Sequence, residues 1–180
     1  MALTATIYTF DLDISDVDRG VYERIALKAA RHPSETEEYL VTRVLAYALE
    51  WTEGIAFSKG GVSGPDEPAI AVRDLTGAMR AWIDIGAPDA SRLHKASKAS
   101  PRVAVYTHRD PSTLQRALAG ERIHRAESLE LYAVDRDLVA ALAERLDRRM
   151  SIGLSVTDRH LFVTVGGETL SGEVTRFAVS

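Results

Sequence analysis

The chain contains no cysteine, which excludes a disulfide framework, a thiolate zinc centre and a cysteine nucleophile. Any metal it holds must therefore be bound by oxygen or imidazole. Long apolar runs are also missing: nowhere do about 18 apolar residues stand together. The opening Met1-Ala2-Leu3-Thr4-Ala5-Thr6-Ile7-Tyr8 lacks the basic and continuous apolar segments of a secretion signal. A cytoplasmic protein without membrane attachment is the expectation. Positive charge is not in surplus, and a formal net charge of −4 is not that of a basic nucleic-acid binder. The histidines show no HxxxH or HExxH spacing, and the glycine pairs Gly60-Gly61 and Gly166-Gly167 sit in no GxGxxG or GxxxxGK pattern, so neither a zinc helix nor a nucleotide cofactor is supported.

What is present is 180 residues with 46% hydrophobic content, enough for one domain, 1–180, with a sizeable core. Alternation at Ala5, Ile7, Thr9, Leu12 and Ile14 predicts a strand over 4–14, and 22–30 reads as a short helix or turn-helix. In Arg31-His32-Pro33-Ser34-Glu35-Thr36-Glu37-Glu38, Ser34 with Glu37 three residues on matches a capping box, which predicts a helix over 35–53. Its apolar stripe is Leu40, Val41, Val44, Leu45, Ala48 and Leu49, the spacing of a helix packed on a sheet. A short strand at 55–58 leads to the glycine-rich loop 60–65, a functional candidate. Further on, 129–134 reads as a strand, 111–119 and 137–149 as helices, and 151–156 with 160–165 as a hairpin that pairs with the N-terminal strand.

Between Ser34 and Thr107 the predicted order is helix, strand, strand, strand, helix, strand. Residues 69–73 and 79–85 form a hairpin around Asp74-Leu75-Thr76-Gly77-Ala78. Asp89 caps the following helix through Arg92, Lys95 and Lys98, and 102–107 is a buried strand. A turn centred near Leu75 and Thr76 brings Glu67 opposite Asp84 or its neighbour. Asp84 stands inside Ala81-Trp82-Ile83-Asp84-Ile85, where an ionised carboxylate needs a partner to offset desolvation. Two carboxylates about 4 Å apart repel by roughly 4 kcal/mol at an effective dielectric near 20, and a divalent cation between them removes that cost. The structural alternative for Asp84 is a salt bridge to Arg92 or Lys95.

The segments Arg31–Glu38, Asp66-Glu67-Pro68, Arg73-Asp74-Leu75-Thr76-Gly77, Trp82-Ile83-Asp84-Ile85-Gly86 and Pro88-Asp89-Ala90-Ser91-Arg92-Leu93-His94-Lys95-Ala96 resemble the signatures of the YaeQ family over nearly the whole chain. The resemblance implies an α/β (α+β) fold: a mixed sheet flanked by helices, with a restriction-endonuclease-like PD-(D/E)xK core and an additional β subsheet from the N- and C-terminal segments. It also implies a metal-dependent phosphodiesterase or nuclease, with Mg²⁺ or Mn²⁺ held by Glu38, by Asp66 or Glu67, and by Asp84, and with Lys95 completing the catalytic set. Glu37 competes with Glu38, since Glu37 fits the capping box and Glu38 the family pattern. Glycine follows in Asp84-Ile85-Gly86 where the strand lysine of such nucleases would stand, so Lys95 would supply that charge from the next helix. The implied partner is nucleic acid. The alternative is a non-catalytic regulatory protein that keeps the nuclease fold and binds nucleic acid or protein.

Overall fold

The computed structural model describes residues 4–58, 64 and 66–179; apart from Gly64, the glycine-rich loop proposed as functional lies outside the described residues. Strands β1 (Thr6–Asp16) and β2 (Val21–Arg31) form an antiparallel hairpin paired from Thr6↔Arg31 to Asp16↔Val21. The second strand is a correction, because 22–30 reads locally as helix. Alanine, leucine, glutamate and lysine favour helix, but Ile25, Leu27 and Ala29 turn inward while Arg24, Ala26 and Lys28 are exposed. That period-two burial against an eleven-residue partner overrides local propensity.

The N-terminal strand also pairs in parallel with β8 (Arg149–Thr157), which turns into β9 (His160–Val165) and then β10 (Glu168–Phe177). The β8–β9 turn places Asp158 and Arg159 at φ 50° and 61°, and the Asp18 carboxylate accepts from both their backbone N–H groups at 2.7 and 2.9 Å. This local ligation offsets the cost of a left-handed backbone at non-glycine residues. Strand β10 is absent from the sequence reading because Glu168–Phe177 carries few apolar side chains. Its first half pairs with β9 and its second half, Val174 to Phe177, with β7 (Glu130–Val134). Among the described residues the terminal strands are thus continuous with the rest through β10, in one ten-stranded sheet of order β2-β1-β8-β9-β10-β7, then β6 (Val103–Thr107), β5 (Met79–Ile85), β4 (Ile70–Arg73) and β3 (Ile55–Phe57).

The central section holds β3 (Ile55–Phe57), β4 (Ile70–Arg73) and β5 (Met79–Ile85) as an antiparallel meander, with β5, β6 (Val103–Thr107) and β7 parallel. Helices α1 (Glu37–Leu49) and α4 (Arg136–Glu144) cover one face, where Leu40, Val44, Ile83, Tyr106, Val134 and Leu142 share a core with β1, β8 and β9. Helices α2 (Ala90–Ala99) and α3 (Pro111–Leu118) cover the other, packing Leu93, Leu114 and Leu118 on Trp82, Val103, Val105 and Leu131. The fold is mixed α+β, a large sheet flanked by helices. The last helix stops at Glu144, short of 149, because Arg149 and Met150 enter the ladder with β1.

The start of α1 is fixed by two contacts. Thr36, not Ser34, is the cap, accepting from the Tyr39 N–H at 3.1 Å, while Ser34 bonds His32. The Arg43 guanidinium, 1% exposed, bonds Glu35 at 3.2 Å and the Ala30 carbonyl at 2.7 Å, tying α1 to the end of β2.

Where β10 changes partners, α4 lies directly on its backbone: a Cβ on Gly172 would stand 2.7 Å from Asp135 Cβ and 2.9 Å from Leu138 Cβ. Neither atom can rotate away. Gly172→Ala is expected to destabilise the fold by about 1–3 kcal/mol, measured by urea unfolding; an unchanged midpoint would show that the joint tolerates separation of α4 from β10.

Candidate functional site

Asp84 lies near the carboxyl end of β5, on the α2 face beside Trp82. The register of β4 on β5 pairs Ile70 with Ile83 and shifts by a bulge after Val72, which sets Ala69, not Glu67, opposite Asp84. The Ala69 N–H donates to Asp84 Oδ1 at 3.3 Å, and Glu67 stands before the strand begins. The loop 74–78 is the one expected, but its centre is not: the register centres between Thr76 and Gly77 instead of near Leu75 and Thr76, and the Asp74 carboxylate organises the loop by accepting from the Thr76 and Ala78 N–H groups.

Asp84 is 2% exposed, and the cation that meets it is Arg92, in the first turn of α2. Asp89 caps that turn, accepting from the Arg92 N–H at 2.8 Å. The guanidinium grips both carboxylate oxygens, Nε to Oδ2 at 2.6 Å and Nη2 to Oδ1 at 3.0 Å. It also donates to the carbonyls of Gly64 at 2.8 Å and Glu67 at 2.7 Å, and lies 5.5 Å over the Trp82 ring. Burial alone would lower the Arg92 pKa, but hydrogen bonding and charge from Asp84 outweigh it and raise the pKa above its ordinary value.

Of the other expected site residues, Glu67 joins this clamp through its backbone carbonyl alone. Asp66, Glu67 and Lys95 are exposed, and Lys95 has no ion pair among the described residues. Glu38 lines a crevice of about 820 Å³ with His108, Arg109, Asp110, Thr113, Asp135, Arg136 and Asp137; Asp66, Glu67, Asp84 and Lys95 contribute nothing to its lining. Glu37 is exposed in the same helical turn. Glu38 thus lines the crevice, while Asp84 lies in the clamp and Lys95 and the 66–67 pair lie on the helix and loop that the clamp joins. With both Asp84 oxygens committed to Arg92, and with no cluster of three or more His, Asp or Glu among the described residues that could hold a metal, these side chains do not fit a Mg²⁺ or Mn²⁺ centre as folded.

The crevice has a topological cause. Strand β6 leads into α3 on one face of the sheet and β7 into α4 on the other, so a cleft opens between their carboxyl ends, the usual place for a ligand in an open α/β sheet. Asp110 and Asp135 cap the two helices, accepting from the Ser112 and Leu138 N–H groups at 2.9 Å each. Burial first, then Arg109, pushes the His108 pKa down, and its buried Nδ1 has no partner among the described residues. The Tyr39 ring meets His108 edge-on at 6.5 Å and packs over Gly86 at the end of β5, so clamp and crevice share one sheet edge.

A second feature escapes a reading by overall composition. Residues 90–125 contain eight lysines and arginines against two acids, in a chain whose net charge is −4. Neither α2 nor α3 carries an acid within its helical span. Lys95, Lys98, Arg109, Arg116 and Arg122 are exposed and have no ion pair among the described residues. A windowed charge count would have found this stripe where the total conceals it.

A mixed α+β sheet with this topology defines a family. The family model described as YaeQ protein matches residues 1–174, and the chain belongs to the YaeQ family. It is 30% identical over 180 residues to the Salmonella typhi YaeQ protein, covering 97% of each chain, and 30% identical over 159 residues to that of Escherichia coli K12, covering 88% of this chain and 87% of the relative. Neither relative's name carries an activity. Among solved structures it is similar to YaeQ from Pseudomonas syringae (31% identity, TM-score 0.85, 97% and 96% coverage) and from Xanthomonas axonopodis pv. citri (32%, 0.86, 97% and 99%). No helix among the described residues is long and apolar enough to cross a membrane.

The clamp generates a stability prediction. Arg92→Ala strands a buried carboxylate, and the expected loss is on the order of 3 kcal/mol, with Arg92→Lys recovering only part because an ammonium cannot form the two-pronged contact. Chemical denaturation reads both. Wild-type stability in Arg92→Ala would show that the pair contributes nothing.

Proposed function

We propose that the protein binds nucleic acid through the α2–α3 face, as a non-hydrolytic module on a restriction-endonuclease-like core. The observation that carries this reading is the segregation of charge: five exposed, unpaired cations on and beside two acid-free helices in an otherwise acidic chain. Such a stripe neutralises backbone phosphates and releases counterions without reading sequence. The core assignment is supported by the element order α1-β3-β4-β5-α2-β6 and by α1 and α2 packing on opposite faces of the meander. The non-hydrolytic part is supported by the Arg92 fork on Asp84, which uses the carboxylate a nuclease would offer to a metal.

A second reading, a Mg²⁺- or Mn²⁺-dependent phosphodiesterase, draws on one observation. Two Asp84 oxygens and the Gly64 and Glu67 carbonyls converge on one guanidinium, a set of hard oxygen donors that a divalent ion would use if Arg92 withdrew. Exposed Asp66, Glu67 and Lys95 lie on the same loop and helix.

Fluorescence anisotropy with single-stranded DNA, double-stranded DNA and RNA separates the readings. The expected outcome is salt-dependent binding without divalent ions, with log K falling against log salt at a slope of about −0.9 per phosphate neutralised on duplex DNA. Lys95→Gln and Arg116→Gln should each flatten that slope by about 1. Absence of binding to every substrate at low salt would sink the proposal, and cleavage abolished by both Asp84→Ala and Lys95→Ala would establish the hydrolase instead.

A further inference from the structure

Among the described residues the sheet ends at β3 on one side and at β2 on the other, and the two edges differ. The β3 edge is three residues long, and shortness is one of the devices that keep an edge from pairing with another chain. The β2 edge runs eleven residues, with no proline, no glycine and no shift of register against β1. That register settles which backbone groups face outward. Thr9 donates to the Arg148 carbonyl, so Thr9, Asp11 and Asp13 turn their backbone groups toward β8, while Phe10, Leu12 and Ile14 bond Leu27, Ile25 and Glu23 of β2. Tyr22, Arg24, Ala26, Lys28 and Ala30 therefore point theirs away from the sheet. The Ala30 carbonyl is taken by Arg43 at 2.7 Å, in agreement with this phase. The N–H and C=O groups of Tyr22, Arg24, Ala26 and Lys28 have no partner among the described residues, and all four residues are exposed.

The outer face beside this edge carries an unmatched charge. Asp13 meets its cross-strand partner Arg24 at 3.5 Å. Asp11 is exposed, has no ion pair among the described residues, and has Ala26 as its cross-strand partner. Over Ala26, Ser151 and Gly153 the face opens into a cavity of about 570 Å³, which Asp11, Asp13 and Arg24 also line. The small side chains leave room above them for a long one reaching in from a strand added beyond β2.

We propose that β2 is the docking edge for a second copy of this chain, the two β2 strands pairing antiparallel about a two-fold axis at Ile25. An interface of this symmetry requires a strand complementary to itself, and one register provides it. With Ile25 opposite its own copy, Tyr22 stands opposite Lys28 and Arg24 opposite Ala26. The outward groups of all four residues then bond their counterparts, about eight hydrogen bonds at two per pair. Arg24 of either copy lies two strands from Asp11 of the other, about 10 Å between Cα atoms by antiparallel spacings, with only Ala26 between them. The unmatched acid thus gains a cation across the cavity, and Lys28 gains the face of the exposed Tyr22 ring. On the inner face the half-buried Ile25 meets its own copy. A slip of two residues either way sets Arg24 opposite Lys28 or opposite a second Arg24, and like charges directly opposite destabilise a strand pair. This match selects a second copy over an arbitrary extended segment, since the cation that Asp11 lacks comes from the same strand. The edge shares no residue with the cationic α2–α3 face.

Sedimentation of the full chain over a range of concentrations, read together with amide hydrogen exchange, tests the proposal. A monomer–dimer equilibrium is expected. The amides of Tyr22, Arg24, Ala26 and Lys28 should exchange more slowly as concentration rises, while those of Glu23, Ile25 and Leu27, already bonded to β1, stay unchanged. Ala26→Pro removes an outward N–H and leaves the β1–β2 ladder intact, and Asp11→Lys sets a cation against Arg24; each should weaken the dimer about tenfold or more. Because the chain has no cysteine, Ile25→Cys adds a geometric check. At the two-fold axis its Cα atoms fall within disulfide range, so mild oxidation should link two chains, whereas Tyr22→Cys, opposite Lys28, should leave them unlinked. A chain that sediments as a monomer at millimolar concentration overturns the proposal and leaves the edge to an extended segment of another protein. So does a dimer in which the four outward amides exchange as fast as in the monomer, or in which Ile25→Cys and Tyr22→Cys cross-link alike.

Discussion

An ionised carboxylate cannot stay in an apolar strand without a partner, and at Asp84 that requirement organises one edge of the molecule. Arg92 meets it with both prongs of its guanidinium, and the remaining donors reach the Gly64 and Glu67 carbonyls. One side chain thereby fixes the end of β5, the first turn of α2 and the segment entering β4. The Trp82 ring beneath supports the guanidinium face. The same bond occupies both oxygens of that carboxylate, which is the basis of the proposed non-hydrolytic reading.

The second organising feature is β10, whose two halves belong to different ladders. Because it carries the pairing from β9 across to β7, the terminal strands and the central α/β section enclose a shared core around α1 and α4. The helix α1 then runs between two polar regions, Glu38 and the β6–β7 crevice at its start and Glu50 with Arg102 at its end. Gly172 at the joint lets α4 approach the strand backbone, which keeps the two half-sheets in register around that helix.

Much of this was legible in the sequence. The strands at 4–14, 102–107 and 129–134, the β4–β5 hairpin, the Asp89 cap and the final β8–β9 hairpin all follow from periodicity and turn chemistry, as does the need of Asp84 for a partner, with Arg92 among the two candidates. What escaped did so for physical reasons. β2 is built from helix-favouring residues and becomes strand only because β1 offers a full-length partner. β10 has too few apolar residues to show an alternating face. The β4 register depended on the centre of the turn and on a bulge that spacing alone does not set, so Glu67 was placed beside Asp84 when Ala69 stands there. The cationic stripe over 90–125 was visible but was averaged away by an acidic total. The family resemblance supplied Glu38, Asp66 or Glu67, and Lys95 as companions of Asp84; Asp66 and Glu67 lie on the exposed loop before β4, Lys95 on the exposed face of α2, and Glu38 in the crevice along the same sheet edge.

The claim that Arg92 holds the place a catalytic cation would take is most directly tested by the ¹H–¹⁵N signal of the Arg92 Nε–H. A hydrogen bond of 2.6 Å to a buried carboxylate should give a slowly exchanging resonance distinct from those of the exposed arginines. The account predicts that this signal persists unchanged at saturating Mg²⁺ and with a DNA duplex bound. Its loss or displacement on addition of Mg²⁺ would mean that the ion takes Asp84 from Arg92, and would contradict the account.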